Sequence, residues 1–151
     1  MSELIRHIEL LAPAKDYLSA VDAIDCGADA VYIGGARFGA RYAAGNSTDD
    51  IARAAEYAHR YGAKVYATCN TLLFDDELEE ARRQALGLCE AGVDALIVQD
   101  KAYCRMGLPV ALHASTQTNC TEPSRVRFFE QAGFERVILE RSLAVEQMRE
   151  I

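Results

Sequence analysis

The 151 residues are half hydrophobic and 26% charged, which is enough apolar side chain for one globular domain with a substantial core. No apolar run reaches the roughly 18 residues of a membrane span. The N-terminal Met1-Ser2-Glu3-Leu4-Ile5-Arg6-His7 also lacks the apolar segment and cleavage site of a secretory signal, so the sequence predicts a cytoplasmic protein. With 16 basic against 23 acidic residues, a formal charge of −7, the chain cannot grip nucleic acid over its whole surface, and any RNA contact has to be local.

The first predicted element is a strand over Ile8 to Leu11, followed by a helix from about Asp16 to Cys26. A repeat then sets the organisation. Cys26-Gly27-Ala28-Asp29-Ala30-Val31-Tyr32-Ile33, Tyr61-Gly62-Ala63-Lys64-Val65-Tyr66-Ala67, Ala91-Gly92-Val93-Asp94-Ala95-Leu96-Ile97-Val98 and Ala132-Gly133-Phe134-Glu135-Arg136-Val137-Ile138-Leu139 each read as helix end, glycine, polar residue and buried strand. The glycine suits a left-handed position that stops a helix, and the apolar run after it suits a strand covered on both faces. Between these units, Ile51, Ala54, Ala55, Ala58 and Tyr61 share one helical face, as do Leu78, Ala81, Ala85, Leu88 and Cys89. Ser47 or Thr48 is placed to cap the first of these helices, and Asp75 or Asp76 the second. A fifth strand over Val110 to Ala114, a sixth over Val137 to Leu139 and a last helix from near Leu143 complete six βα units with parallel strands.

Six such units read as a TIM-barrel-like (β/α)8 fold truncated by two units, because a closed barrel takes eight strands and about 250 residues. Residues 1–151 are therefore expected to form one incomplete barrel domain. A doubly wound open sheet is the competing architecture; Gly34-Gly35-Ala36-Arg37-Phe38-Gly39 gives it little support, since these glycines follow the second strand rather than the first. Removal of two units would leave the first and sixth strands with unpaired edges, so the chain by itself is expected to self-associate.

In either architecture the site lies at the C-terminal ends of the strands. That rule selects Arg41 and Asn46 after the second strand, Asn70 after the third, Gln99 and Asp100 after the fourth, His113, Ser115, Gln117 and Asn119 after the fifth, and Glu140 and Arg141 after the sixth. Polar tips on apolar strands describe a common pocket. His113 with Glu140 supplies an acid and a base, while Arg41 or Arg141 can orient an anion. Singly these residues are weak signals: Asp100 also stands where it would cap a short helix near Tyr103. Ser115 lies two residues from His113, but no third group completes a hydrolytic triad. Cys26, Cys69, Cys89, Cys104 and Cys120 show neither a CxxC pair nor zinc-site spacing, so they read as reduced packing residues and no metal site is predicted.

Glu9-Leu10-Leu11-Ala12-Pro13-Ala14, Gly27 to Gly35, Asn70-Thr71, Gly92 to Asp100, His113-Ala114-Ser115-Thr116-Gln117 and Val137 to Arg141, in this order across nearly the whole chain, resemble the peptidase U32 (collagenase-like) family. Phe38-Gly39-Ala40-Arg41, Ala58 to Lys64 and Asp75 to Glu79 look like its members that make 5-hydroxycytidine in large-subunit ribosomal RNA. The resemblance implies an RNA hydroxylase with RNA as partner; the strand-end positions make His113, Gln117 and Glu140 the candidate catalytic residues. It also implies an iron–sulfur cluster in the full-length protein, held by cysteines of a Gly-Ala-Leu-Cys region that would follow Ile151, with no cofactor on this segment itself. Two alternatives stay open: a peptidase or other hydrolase, as the family's name suggests, and a non-catalytic scaffold that binds RNA or a protein partner. One departure from the family pattern is visible. Relatives commonly carry Ala-Arg-Glu or Ser-Arg-Glu after the sixth strand, where this chain has Glu140-Arg141-Ser142.

Overall fold

A computed structural model describes residues 8–40 and 45–151. Six strands form one sheet: β1 (Leu11–Ala14), β2 (Ala30–Gly34), β3 (Lys64–Cys69), β4 (Ala95–Val98), β5 (Ala111–Ala114) and β6 (Arg136–Val137). Every neighbouring pair is parallel and the strand order is that of the sequence. That order decides between the two architectures, because a doubly wound sheet reverses its direction of growth beside the first strand whereas a barrel wall adds each strand to the last. The six strands make a half-barrel.

Helices α1 (Tyr17–Asp25), α2 (Thr48–Arg60), α3 (Leu78–Glu90), α4 (Pro123–Gln131) and α5 (Val145–Glu150) complete the chain, with a 3-10 turn at Lys101–Arg105 between β4 and β5. The side chain of Asp16 caps α1 by accepting from the Ser19 N–H at 2.9 Å, and Ser47 caps α2 through the Asp50 N–H at 3.1 Å. The expected cap of α3 is different: Asp75 and Asp76 lie inside a 3-10 turn, Asp75–Glu77, and Glu77 accepts from the Phe74 N–H at 3.0 Å. At the helix ends Gly27, Gly62, Gly92 and Gly133 hold φ of +97°, +73°, +88° and +91°, the left-handed geometry that the repeat requires.

Successive strand residues face opposite sides. Toward the helices point Val31, Ile33, Val65, Ala67, Leu96, Val98 and Ala114, packed with Ala20 and Ile24 of α1, Ile51, Ala54, Ala55 and Ala58 of α2, Ala81, Ala85 and Leu88 of α3, and Phe129 of α4. The alanines let the helices approach the sheet closely. The inner face carries a second, smaller cluster, with Ala30, Tyr66, Ala95 and Ile97 buried and Leu11, Tyr32, Ala111 and Ile138 packed around them.

Two strand limits differ from the sequence reading. β1 begins at Leu11 because the Leu10 N–H is taken by the Asp29 carboxylate at 2.7 Å, and Ile8 stands 87% exposed. Ala12-Pro13-Ala14 carries the strand on; Pro13 is tolerated there because β1 is an edge strand of this sheet. β6 is short. The Ile138 N–H still donates to the Ala114 carbonyl, but the Glu140 N–H turns to the Cys120 carbonyl at 3.2 Å and draws the chain off the ladder.

Candidate functional site at the strand ends

The loops after β3, β4 and β5 meet in a chain of neutral polar groups, which Gln117 joins through its backbone. The Asn70 carboxamide accepts from the Ala40 N–H at 2.9 Å and donates to Ser115 Oγ at 3.4 Å. Ser115 is buried, and its Oγ also accepts from the Gln117 N–H at 3.2 Å. Gln99 Nε2 donates to the Gln117 carbonyl at 3.3 Å. Asn70, Ser115, Gln117 and Gln99 thus form one connected polar rim across three strand ends.

The other sequence-selected residues stand around this rim. Asn46 is buried, and its Nδ2 donates to the Lys15 and Gly34 carbonyls at 2.9 Å each, which ties the ends of β1 and β2 together. Asp100 does cap the short turn, accepting from the Ala102 N–H at 2.8 Å; its second oxygen accepts from the Leu73 N–H at 3.0 Å. Asn119 adopts φ +52°, a left-handed conformation that Asn tolerates, and exposes its side chain. Glu140 binds the Ser142 N–H at 2.6 Å and the Ser142 hydroxyl, and these bonds hold its carboxyl below the usual carboxylate range. Arg141 is exposed beside it. Among the described residues no hydrogen bond joins Glu140 to His113, so the acid and base are not brought together. Arg41 lies outside the described residues.

His113 lies deeper. It shares the inward parity of Ser115 two residues on, roughly 6–7 Å along the strand, and is only 2% exposed. Its ring meets the Tyr66 ring edge-on, centroids 4.8 Å apart, and its Nδ1 has no hydrogen-bonding partner among the described residues. Burial, reinforced by the Arg136 charge, holds the imidazole below its ordinary range and therefore neutral.

Beneath it lies a charged floor that the sequence reading missed. Glu9 and Arg136 form an ion pair between the segment before β1 and the start of β6. The Tyr66 hydroxyl donates to Glu9 Oε2 at 2.8 Å, and the Arg136 guanidinium lies 5.5 Å from the centre of the Tyr66 ring. Burial and the Glu9 carboxylate push the Tyr66 phenol up to about 12. Burial alone would raise Glu9, but the Arg136 and Tyr66 hydrogen bonds outweigh it and leave its carboxyl lowered. Inward parity was the available signal: Glu9, Leu11 and Pro13 alternate onto one face, as do Lys64, Tyr66 and Thr68.

This floor gives stability a two-part pH dependence. His113 is depressed from 6.5, so the unfolded chain binds its proton first and stability falls as pH drops below about 6.5. Glu9 is depressed from 4.5, so its contribution is complete above about 4.5 and is lost as pH falls further. Urea unfolding between pH 3 and 8 should show both losses; His113→Gln should remove the upper one and Glu9→Gln should reduce the lower one. Identical profiles in all three proteins would refute this assignment.

A family profile described as Peptidase family U32 matches residues 15–151. The chain belongs to peptidase family U32. The 23S rRNA 5-hydroxycytidine C2501 synthase of Escherichia coli K12 is 50% identical over 145 residues, covering 95% of this chain and 22% of that protein. The tRNA hydroxylation protein P1 of Bacillus subtilis 168 is 36% identical over 148 residues, covering 95% of this chain and 35% of that protein. This U32 chain thus spans about a fifth to a third of the length of these relatives. The solved structure of the U32 peptidase Mk0906 superposes with a TM-score of 0.80 at 15% identity, over all of this chain and 66% of that one, a likeness of fold.

Two chemistries raised by the sequence, hydrolysis and an iron–sulfur cluster, meet this chain's own residues differently. A serine hydrolase needs a base on its nucleophile, yet the Ser115 hydroxyl meets Asn70 and Gln117 while His113 Nδ1 is unpartnered. For an iron–sulfur cluster the residues here do not fit: Cys69 and Cys120 are buried, Cys26 is exposed, and burial pushes the Cys69 thiol up to about 12. Among the described residues no three His, Cys, Asp or Glu side chains converge. No helix among them is long and apolar enough to cross a membrane.

Proposed function

We propose that this chain is the substrate-facing half-barrel of a U32 RNA hydroxylase that forms 5-hydroxycytidine in large-subunit ribosomal RNA. The observation that carries the reading is the neutral rim of Asn70, Ser115, Gln99 and Gln117 above a buried neutral imidazole. Carboxamides and hydroxyls present both donors and acceptors, which suits the edge of a pyrimidine better than a charged group. The names of the 50% and 36% identical relatives support RNA as the substrate.

In this reading Gln117, Gln99 and Asn70 orient the base, Asn119 and Arg141 face the sugar and phosphate, and Arg41 adds a second cation. Asn46 and Asp100 hold the loops in place, Asp100 as their cap and tie. His113, neutral beneath the rim, is the candidate base; its Nδ1 is shielded from solvent, so it meets the bound ring only once the loops above it part, and Ser115 stands two residues on with the same inward parity. Glu140 remains the second catalytic candidate, an ionised carboxylate that the Ser142 hydrogen bonds make a weak base. Oxygen and electrons come from groups other than these side chains, and a cluster would have to be held by cysteines outside this chain. Such a reaction belongs to the cytoplasm, where ribosomal RNA is.

RNA mass spectrometry of a strain lacking the gene tests the proposal. Loss of one hydroxylated nucleoside is the expected result; an unchanged nucleoside profile would sink it and leave the peptidase and scaffold readings. The 151-residue chain alone is further expected to self-associate through the open edges of β1 and β6, near exposed Ile8 and Leu10. Sedimentation showing a monomer at high micromolar concentration, with no binding of a dye for exposed apolar surface, would contradict that expectation.

A further inference from the structure

Both walls of an open groove on the flank of the half-barrel start at the polar rim. Lys101 follows Gln99 by two residues and Thr118 follows Gln117 by one, and the groove runs from them along α4 past Glu122, Arg125 and Phe128. Three features mark it out on a chain whose net charge is −7. Phe128 is 48% exposed, although its neighbour Phe129 is buried against Phe134. Lys101 Nζ lies 5.9 Å from the centre of the Phe128 ring. The Arg125 guanidinium is fixed by the Thr118 and Asn119 carbonyls, at 3.2 and 3.0 Å, and forms no ion pair among the described residues. Among the described residues Glu122 is the one carboxylate lining the groove, and it faces Ser124.

We propose that this groove binds single-stranded nucleic acid: a base stacks on Phe128, and Lys101 and Arg125 contact the flanking phosphates. An exposed ring in a groove lined by two cations is what a strand with accessible bases recognises, since every base offers a stacking face while the cations follow the backbone. An acidic peptide would use the cations and leave the ring unemployed. A duplex hides its base faces. The inference deepens the RNA reading above, because a strand lying in the groove enters the rim between Gln99 and Gln117.

The test uses the whole protein and a fluorescein-labelled 12-nucleotide single-stranded RNA, followed by anisotropy. Phe128→Ala should weaken binding about ten-fold or more, whereas Phe128→Tyr, which keeps the stacking face, should bind as the natural protein does. Lys101→Ala should lower the slope of log affinity against log salt by about one. Phe128 is half-exposed, so thermal melting of each variant checks the fold, and Lys101→Ala leaves the apolar contacts in place. Equal affinity of Phe128→Ala and the natural protein, equal loss in Phe128→Ala and Phe128→Tyr, or displacement of the RNA by polyglutamate would overturn the proposal. The two readings separate cleanly. If deletion of the gene leaves RNA hydroxylation intact while Phe128→Ala weakens binding, the hydroxylase reading falls and the groove stands; if hydroxylation needs the gene but Phe128→Ala binds normally, the groove alone falls.

Discussion

Replacing His113 by alanine in the whole protein is expected to reduce the hydroxylated nucleoside about a hundred-fold or more, as the loss of a positioned proton-transfer group does. The reason is its place. It is a buried polar side chain beneath the rim whose Nδ1 no other described group uses, and its surroundings keep it neutral. Removing it also empties space against Tyr66, so folding has to be followed separately. His113→Gln keeps a polar side chain of similar size; if it restores product fully, the imidazole does no proton transfer. Gln117→Ala should lower product as well, at almost no cost in stability, because Gln117 is exposed. RNA mass spectrometry of complemented strains measures both, and unchanged product in His113→Ala would remove this residue from the site.

The largest effect on stability is expected at Leu96→Ala, about 2–5 kcal/mol from lost burial and the cavity left behind. Leu96 is fully buried in the middle of the sheet, in the layer that all of α1 to α4 pack against. Val31→Ala, in the same layer, should cost about 1–3 kcal/mol, and Ile97→Ala on the inner face should fall between them. Urea midpoints read these values. If Gln117→Ala and Asn70→Ala lowered the midpoint as much as Leu96→Ala, the polar rim would be a structural element rather than a site.

The repeat was legible because its physics is local. Glycine after a helix and a β-branched run after glycine each follow from backbone geometry, and Gly27, Gly62, Gly92 and Gly133 all took the left-handed conformation expected of them. The limits of β1 differ from the expected Ile8 to Leu11 because Ile8 and Leu10 are apolar yet exposed, while Pro13 continues the strand on an edge of this sheet. The rim residues were visible because the strand-end rule picks positions. Their roles were not, since a hydrogen bond such as Gln99 to Gln117 depends on how neighbouring loops are juxtaposed. Least visible was the floor. Parity shows that Glu9 and Tyr66 face inward, but the curvature of the sheet is what brings them to His113 and Arg136, and spacing along the chain does not encode that.

The consecutive strand order also says how this chain should fold. Each strand pairs with the one before it, about thirty residues back or fewer in most cases, so the loops to be closed are short and the units can assemble in order as the chain leaves the ribosome. The Glu9 to Arg136 pair is the opposite case, bridging 127 residues and both ends of the sheet. It can form only after all six strands are in place, so it contributes nothing to the transition state for folding and acts as a latch on the finished structure. Breaking it should leave the folding rate unchanged and speed unfolding.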